Sequence, residues 1–387
     1  EKANAEYMKG AVASFAPGRI EFLGNHLDYN GGNVLGTAIN AGVYALAQPR
    51  KDSSYSLFSE SFEGSEITGS IDKIERLTGA DSWANYCLGI LHVLQKKGLA
   101  PDQGFSLTLT TDLPMSAGLS SSAAVELATC QCLLQLAEKK VPKEELVKIC
   151  RQAENEWVGL PCGILDQGTS AFGIENQLVQ IDCAKEKYST LPLPTNTRFW
   201  IFDSGIKHDL VDSLYGTRHM ECMNALQILQ KINPDIQHLA KCPSSWVEGA
   251  AMPDDIKKRA LHVVQEQERV HKFTTALKNE VEITELGSFL TSSHHSSSTL
   301  FENSMPELDF LVDLLSKEDQ VLGARLTGGG FGGAVLAWTT KNFSQSDAEV
   351  IANLYQQKWQ STTAYHSFYP SKGASAIDPF NENLKQA

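Results

Sequence analysis

The sequence predicts an α+β protein of two lobes, in which mixed β-sheets are combined with helices. The chain has 387 residues, 42% of them hydrophobic, and this length exceeds what one hydrophobic core usually holds. Short segments in which apolar and polar residues alternate indicate strands, whereas longer segments with apolar residues three or four positions apart indicate helices. Both kinds of segment occur in each half of the chain.

The first half is predicted to alternate between strands and helices. Strands are expected at residues 12–15, 43–47, 55–59, 104–110, 178–181 and 199–202. Helices are expected at residues 83–97, 123–140, 143–158 and 164–172. The first strand delivers a polar loop that ends at residues 30–32, and glycine and proline break the chain between the last two helices.

The second half is predicted to be mostly helical from residue 209 to about 315, followed by strands at 324–326 and 334–339. The Ser- and His-rich run 291–299 interrupts this pattern. Its adjacent histidines, His294 and His295, are weak evidence for a metal site, and we interpret the run as a mobile polar loop. We place the lobe boundary near residues 195–203, which gives an N-terminal lobe of residues 1–200 and a C-terminal lobe of residues 201–387.

The charge and the apolar pattern of the chain exclude two classes of partner. The formal net charge is −13, whereas a nucleic-acid-binding surface needs a basic face that displaces counterions from phosphates. No run of about 18 apolar residues, long enough for a membrane span, occurs. We therefore expect neither nucleic acid nor a membrane as partner, and a monomer or weak homo-oligomer.

The cysteines and the first residues indicate a cytoplasmic location. The eight cysteines are scattered through apolar or helical contexts without a CxxC pair, which favours reduced thiols in the core. Residues 1–10 lack the basic head and apolar centre of a secretory signal.

The segment LPMSAGLSSSAA, residues 113–124, lies between an alternating strand and a strong helix. A glycine-containing turn followed by small residues lets the N–H groups of a helix N-terminus converge on an anion, and the helix dipole adds to this attraction. The segment therefore predicts a phosphate-binding loop, although an ordinary serine N-cap would also explain it. No GxxxxGK[ST] motif occurs, which excludes the common P-loop.

Two further segments carry unusual patterns. In LTGGGFGGA, residues 326–334, five of six consecutive residues are glycine, which either tight turns or close approach of the backbone to another group would require. In APGRIEFLGNHLDYNGG, residues 16–32, an arginine, a histidine and an aspartate cluster in a predicted loop. Turn chemistry explains the asparagine and glycines of that loop but does not require the charges.

Together, in this order and at these separations, the three segments resemble the three motifs of the GHMP kinases, a family of galactokinases, homoserine kinases, mevalonate kinases and phosphomevalonate kinases. Residues 18–32 are similar to the galactokinase signature in particular. Residues 83–86, 153–167 and 203–218 also resemble galactokinases. The resemblance covers residues 16–340 and is weakest between 224 and 299.

The resemblance implies the two-lobed GHMP kinase fold, with the active site in the cleft between the lobes. It also implies an ATP-dependent kinase that phosphorylates galactose or a closely related sugar at the anomeric hydroxyl. Residues implied in ATP binding are Trp83, Pro114, Gly118, Leu119, Ser120, Ser121, Ser122, Gly329 and Gly330. For Trp83, a position in the core is the alternative.

The resemblance further implies a Mg²⁺ ion held by the hydroxyl of Ser120 and the carboxylate of Glu154. Mg²⁺ prefers few protein oxygens together with phosphates and water, so this pair suits it. The alternative for Glu154 is an exposed carboxylate on a helix.

Asp166 and Arg19 form the implied catalytic pair. Phosphoryl transfer depends mostly on positioning and charge stabilisation, which a carboxylate beside the acceptor hydroxyl and a neighbouring arginine can supply. A helix N-cap is the alternative for Asp166. Contacts with the sugar are implied for Asn25, His26, Asp28, Gly163, Asp166 and Tyr215.

Asn25 departs from the galactokinase pattern, which has a glutamate here whose expected role is to bind the sugar's C6 hydroxyl. A glutamate about 4 Å from the carboxylate of a uronic acid would cost about 4 kcal/mol at an effective dielectric constant of 20. Asparagine removes this repulsion and offers an N–H donor. A uronic-acid 1-kinase, acting on galacturonate or glucuronate, is therefore an alternative function.

A further alternative is a sugar sensor that binds sugar and ATP without catalysis, as some members of the family do. The presence of Arg19, Ser120 and Asp166 argues against this alternative.

Overall fold

The computed structural model describes residues 10–61, 66–114, 118–160, 162–206 and 211–380. The strands within them are β1 Val12–Leu23, β2 Asn33–Pro49, β3 Ser54–Ser59, β4 Ile67–Ser70, β5 Phe105–Thr111, β6 Gln177–Asp182, β7 Lys187–Pro192, β8 Thr197–Asp203, β9 Val321–Thr327, β10 Ala334–Thr340, β11 Ala364–Phe368 and β12 Ser375–Ile377. The α-helices are α1 Asn85–Lys96, α2 Ser121–Leu136, α3 Lys143–Gln152, α4 Leu165–Phe172, α5 Val211–Ile232, α6 Ser244–Gly249, α7 Asp254–Lys278, α8 Ile283–Ser296, α9 Pro306–Leu315 and α10 Gln345–Trp359. Short 3₁₀ segments span Gly79–Ala84 and Leu239–Lys241, and π-helical turns span Ala153–Val158 and Ser297–Phe301.

A mixed sheet forms the first layer of the molecule. Its strand order is β12-β1-β2-β5-β3-β4, and β6 and β7 extend it beside β2. Neighbouring strands are antiparallel except β3 and β5, which are parallel. Helix α2 packs on β1 and β2. Because β12 returns from the end of the described chain to pair with β1, the C-terminal residues complete the sheet that begins with the first strand.

A second, antiparallel sheet has the strand order β11-β8-β10-β9. Successive side chains of a strand point to opposite faces, and β8 uses both faces. Phe199 and Ile201 belong to the large core that the second sheet shares with the first. Trp200 and Phe202 belong to a smaller core beneath α9 and α10. The predicted α+β class, in which β-sheets are combined with helices in two lobes, is therefore confirmed.

An aromatic cluster joins the two sheets. The ring of Phe22, on β1, lies 6.0 Å from that of Phe199, 5.2 Å from that of Phe273 on α7 and 5.4 Å from that of Trp338 on β10. These contacts fix the C-terminal end of β1 at the junction of the sheets. The polar loop after β1 therefore lies where helices and strands from both halves of the chain meet.

Two predictions about local structure are wrong. The first strand continues beyond residue 15 to Leu23, so that Arg19 and Glu21 lie on the strand and not in a loop. The strand persists because β2 pairs with it through an irregularity between Pro17 and Arg19. Four short strands, β4, β7, β11 and β12, were not predicted.

The Ser- and His-rich run 291–299, predicted as a mobile loop, is helical. It forms the end of α8 and the start of the following π turn. Ser293 and Ser297 are fully buried, and the imidazole Nε2 of His294 lies 3.0 Å from Asp309 Oδ1. Serine disfavours helix interiors because its hydroxyl competes for backbone groups, but here tertiary hydrogen bonds occupy the hydroxyls.

Most of the cysteines lie in the core. All eight cysteines are free thiols, and five of them are completely or almost completely buried, Cys87, Cys130, Cys132, Cys150 and Cys222. Within the described part of the chain, no helix combines the length and the apolar character that a membrane span requires.

Candidate active site

Four groups from three separate segments meet at one point. The Arg19 Nε donates a hydrogen bond to Asp166 Oδ1 at 2.7 Å, and its Nη1 donates to the carbonyl oxygen of Gly118 at 2.8 Å. The hydroxyl of Ser120 donates to Asp166 Oδ2 at 2.6 Å. The structure thus brings the predicted phosphate-binding loop into direct contact with the predicted catalytic pair.

The backbone before α2 has a conformation that serves this arrangement. Gly118 and Ser120 have φ values of +66° and +55°, in the left-handed region that non-glycine residues seldom adopt. Ser120 precedes the helix but makes no side-chain capping bond; its hydroxyl goes to Asp166 instead. The alternative of an ordinary serine N-cap is therefore wrong. The Ser120 side chain does not occupy the first N–H groups of α2, which are the groups that can bind an anion.

Gly18 allows β1 to approach this loop closely. A Cβ atom at Gly18 would lie 2.8 Å from the carbonyl oxygen of Leu119, and that oxygen accepts a hydrogen bond from the Arg19 N–H at 3.0 Å. Any larger residue would push Arg19 away from Gly118.

Several residues of the segments that carry the sequence resemblance, namely 115–117, Pro161, Lys207 and His208, lie outside the described residues.

The Arg19–Asp166 ion pair is largely enclosed. Only 7% of the Arg19 side chain is exposed, against 31% for Asp166. Burial by itself would lower the pKa of the Arg19 guanidinium, but the adjacent Asp166 carboxylate outweighs it, and the pKa lies above its ordinary value. Asp166 stands in the first turn of α4, so the helix start directs its carboxylate toward Arg19.

A cavity of about 320 Å³ adjoins this ion pair. This volume falls in the range of small-molecule sites. All six residues for which sugar contacts were predicted line it, together with Glu21, Leu160, Cys162, Leu165, Gly216, Gly328, Gly329 and Arg19. The cavity therefore presents polar groups from β1, the loop after it, α4, α5 and the glycine-rich segment after β9.

His26 bridges two of the predicted motifs. Its Nδ1 lies 2.8 Å from the Tyr29 hydroxyl and its Nε2 lies 3.1 Å from the Gly329 carbonyl oxygen. Burial lowers the pKa of His26 to about 3, so the imidazole is neutral and can donate from Nε2 while it accepts at Nδ1. His26 thus ties the loop after β1 to the glycine-rich segment.

Asp28 and Gly163 are in direct contact in the wall of the cavity. A Cβ atom at Gly163 would overlap Asp28 Oδ2, so only glycine fits beside this carboxylate. Burial raises the pKa of Asp28 to about 7. The ring of Tyr215 completes this side of the cavity, 5.3 Å from the ring of His26.

Asn25 lines the cavity, but its amide is engaged within the protein. Its Nδ2 donates to Glu21 Oε1 at 3.0 Å and to the Gly328 carbonyl oxygen at 2.9 Å. Its Oδ1 accepts from Ser297 at 3.2 Å and from Asn303 at 3.0 Å. These four hydrogen bonds use both hydrogens and both lone pairs of the amide.

Glu21 is a charged cavity residue that sequence reasoning missed. It is 4% exposed, and Arg325 donates to its Oε1 at 3.2 Å. The available signal was the period of the strand, because residues 19 and 21 point to the same face of an extended chain. That signal went unused since the segment was interpreted as a loop.

Two residues of α7 hold the polar loop from behind. Glu266 Oε1 accepts hydrogen bonds from the N–H groups of Gly24 and Asn25 at 3.0 and 3.3 Å, and the His262 Nε2 lies 3.2 Å from the Asn25 carbonyl oxygen. Burial opposes ionisation of Glu266, but Arg269 beside it lowers the pKa to about 2. Neither residue was predicted, because α7 lies in the region where the resemblance is weakest.

A second cavity, of about 220 Å³, lies on the other side of the start of α2. Its lining includes Trp83, Pro114, Ser121 and Ser122, together with apolar groups such as Val43 and Leu109. An aromatic and aliphatic wall of this kind suits a nucleobase. Four of the predicted ATP residues, Trp83, Pro114, Ser121 and Ser122, therefore line one cavity, whereas Gly118, Leu119 and Ser120 do not line it.

Gly329 and Gly330, also predicted to bind ATP, are not brought to this second cavity. Gly329 lines the cavity of Asp166, and its carbonyl oxygen accepts from Asn303 at 3.0 Å. A Cβ atom at Gly330 would overlap the backbone of Asn303. The pair lies against His26 and Asn303, and its part in ATP binding stays a prediction from the sequence.

Glu154 is buried, 6% exposed, so the alternative of an exposed helix carboxylate is wrong. Its Oε2 accepts from the Gln167 amide at 2.6 Å, and the same amide donates to Glu126 Oε2 at 3.0 Å. Burial raises the pKa of Glu154, and the nearby charge of Asp166 adds to this shift. A carboxylate and a serine hydroxyl are oxygen ligands of the kind that Mg²⁺ takes together with phosphates and water.

Comparison with known proteins places these residues in context. Three family models match the chain: the galactokinase galactose-binding signature over residues 4–49, the GHMP kinase N-terminal domain over residues 85–174 and the GHMP kinase C-terminal domain over residues 279–359. The first model contains the cavity residues of β1 and the loop after it, and the second contains Ser120, Glu154 and Asp166.

Whole-length relatives agree with these matches. The galactokinase of Thermotoga neapolitana is 38% identical over 363 residues, which is 94% of this chain and 99% of that protein. The galactokinase of Actinobacillus pleuropneumoniae is 34% identical over 376 residues, 95% of each chain. The crystal structure of Lactococcus lactis galactokinase complexed with galactose superposes with a TM-score of 0.91 at 30% identity and covers 97% of this chain and 99% of that one.

Proposed function

The chain belongs to the galactokinase family of the GHMP kinases, and from this premise we propose that it transfers the γ-phosphate of ATP to the anomeric hydroxyl of galactose. The observation that carries the proposal is the contact of Ser120 and Arg19 with Asp166. It joins the start of α2, where a triphosphate would bind, to the wall of the cavity where a sugar would bind.

The residues divide the work as follows. Backbone N–H groups of residues 118–122 and the dipole of α2 hold the phosphates. Asp166 accepts a hydrogen bond from the acceptor hydroxyl and orients or deprotonates it, while Arg19 stabilises negative charge that develops on the transferred group. Asp28, His26, Gly163 and Tyr215 shape the sugar site, and Trp83 and Pro114 line the site of the base.

Ser120 and Glu154 would hold the Mg²⁺ ion that accompanies ATP. When bound, the ion neutralises charge on the phosphates. The buried carboxylate of Glu154 is fixed by Gln167, which holds it ready as a ligand. Cys162, Gln167 and Ser122 are the described residues whose side chains offset the burial of this carboxylate by hydrogen bonding.

The structure weakens the reason for proposing a uronic-acid kinase. That alternative depended on a sugar site without the carboxylate of residue 25. Glu21 supplies a carboxylate whose oxygen is 3.0 Å from the Asn25 amide nitrogen, so the cavity does contain a carboxylate at this place. The cytoplasmic location, the oligomeric state and the absence of nucleic-acid and membrane partners stay predictions from the sequence.

An ADP-release assay with galactose, galacturonate, glucuronate, arabinose, fucose and N-acetylgalactosamine tests the proposal. We expect the highest kcat/KM with galactose and a product phosphorylated at C1. Asp166→Asn should lower kcat by about 10² to 10⁴, as loss of an acid–base group does, with little change in the affinity for ATP. Release of ADP from none of the sugars would contradict the proposal and favour a sensor.

A matched control separates catalysis from folding. Asp313→Asn makes the same substitution on the exposed side of α9, away from both cavities, and should leave kcat unchanged.

A further inference from the structure

The carboxylate of Glu21 is held by one oxygen only. Arg325 and Asn25 both donate to Oε1, at 3.2 and 3.0 Å. Among the described residues, none donates a hydrogen bond to Oε2, and this atom is not sealed within the protein. Since Glu21 lines the cavity, Oε2 is available to accept a hydrogen bond from a ligand.

The position of Glu21 on β1 sets its distance from the reacting end of the cavity. Arg19 and Glu21 pair with Ala38 and Gly36 of β2 in unbroken register, so they share one face of the strand. At about 3.3 Å per residue their Cα atoms are about 6.6 Å apart. Asp166 is bound to Arg19, and a sugar whose reacting hydroxyl meets Asp166 therefore presents its other end to Glu21.

The support of Glu21 fixes its side chain in this position. Arg325 is fully buried, and its Nη1 also donates to the Phe22 carbonyl oxygen at 3.1 Å. Asn25, whose amide has no hydrogen left for a ligand, braces the same oxygen. The two donors leave the carboxylate little freedom to turn away from a negatively charged ligand.

We propose that Glu21 restricts the cavity to neutral sugars. Its Oε2 accepts a hydrogen bond from a hydroxyl at the end of the sugar away from Asp166, and its charge repels the carboxylate of a uronic acid. This inference rests on the proposed function of the same cavity. Asn25 acts as a positioning residue, because it contacts Glu21 and leaves recognition of the sugar to that carboxylate.

Replacement of the charge at constant shape tests the proposal. We compare kcat/KM for galactose and galacturonate, which differ only in the oxidation state of C6, in the wild type and in Glu21→Gln. The galacturonate-to-galactose ratio should rise by about 10²- to 10³-fold, since a close like charge is removed and an N–H donor is introduced. A ratio within about 3-fold of the wild-type value would overturn the proposal.

A second variant keeps the proposal testable if Glu21→Gln does not fold. Glu21→Asp retains the charge but withdraws it by one methylene, so galactose turnover should fall by about 10-fold while galacturonate stays excluded. Efficient use of galacturonate by Glu21→Asp would contradict the role of the charge.

The control is Glu221→Gln. Glu221 is likewise a carboxylate paired with arginine, since it lies 3.1 Å from Arg218 and 3.0 Å from Arg259, but it does not line the cavity. Its substitution should lower the unfolding temperature without changing the sugar ratio. A wild type that phosphorylates no sugar would sink the proposed function, whereas an active wild type with an unchanged ratio in Glu21→Gln would sink this inference alone.

Discussion

At Gly163 the cavity wall has no room for one additional carbon atom, since a Cβ there would overlap the Asp28 carboxylate. Gly163→Ala should therefore raise the KM for galactose by about 10²-fold or more, because Asp28 must leave its place, while the KM for ATP changes little. Gly249→Ala, at a helical glycine with open space around its Cβ position, is the matched control. Steady-state kinetics with each substrate varied in turn measure both constants, and an unchanged galactose KM would contradict the contact.

Asp28 gives the protein a pH-dependent stability with a defined sign. Burial raises its pKa from 3.8 to about 7, so between these values the native state holds a proton that the unfolded state has lost. Stability must then fall as pH rises through this window, by about 4 kcal/mol in total. Asp28→Asn removes this loss, and it should raise the unfolding temperature more at pH 8 than at pH 5.

Thermal unfolding of both proteins at the two pH values checks this prediction. An equal gain at both values would mean that Asp28 ionises normally in the native state. The same variant should also bind galactose poorly. Asp28 costs stability when it ionises, and a residue with such a cost is expected at a functional site, where function and stability compete.

The motifs that resemble those of the GHMP kinases named several residues that the structure brings together. Asp166 accepts hydrogen bonds from both Arg19 and Ser120, and Glu154 lies near enough to Asp166 for its pKa to be raised by that charge. Glu21 did not emerge, since its importance depends on the strand that presents it and on Arg325, which lies 304 positions away in the sequence. Contacts over such separations leave no local pattern.

At the scale of elements, α7 and α8 form the support on which the sugar loop rests. Glu266 of α7 accepts hydrogen bonds from Gly24, Asn25 and, at 2.7 Å, Ser293 of α8. Gln267 adds a bond to the N–H of Asn33 at 2.7 Å. The helices therefore determine where the loop presents His26 and Asp28, although α7 does not line the cavity.

Glu266→Gln tests this support. Glu266 is fully buried and its Oε1 accepts three hydrogen bonds, whereas a glutamine side chain has one acceptor oxygen and a donor N–H₂ group. The substitution also removes the charge that pairs with Arg269, and together these changes should lower the free energy of unfolding by about 3–5 kcal/mol. In the folded fraction we expect a higher KM for galactose and an unchanged KM for ATP. Glu268→Gln, at a carboxylate that bonds Ser244 in an exposed position, should alter neither.

Local periodicity predicted the helices of the first half and strands β3, β5, β6, β8, β9 and β10 to within a few residues, but it missed the first ten residues of β2. It failed where tertiary contacts override it. The run 291–299 is rich in serine yet helical, because its hydroxyls bond to groups outside the run. Ser293 donates to Glu266, Ser297 to Asn25 and Ser298 to Asp309. The strand predicted to end at residue 15 continues because β2 lies beside it throughout.

At the scale of the whole molecule, the two sheets share one core, and the site lies where they join. Phe22, Phe199 and Trp338 lock β1 to the second sheet, while β12 closes the first sheet from the C-terminal side. The side chains of the site come from distant segments of the chain and are thereby held on rigid elements. Rigid support favours the accurate placement of reactants that phosphoryl transfer needs. Motif order along the chain predicted a common cleft but not the shared core.

The most direct test of this account is a crystal structure with galactose, Mg²⁺ and a non-hydrolysable ATP analogue. We expect the C1 oxygen of galactose within hydrogen-bond distance of Asp166, the γ-phosphorus about 3–3.5 Å from that oxygen and the phosphates against the N–H groups of residues 118–122. A sugar bound with C1 turned away from Asp166, or a triphosphate bound outside the start of α2, would contradict the account.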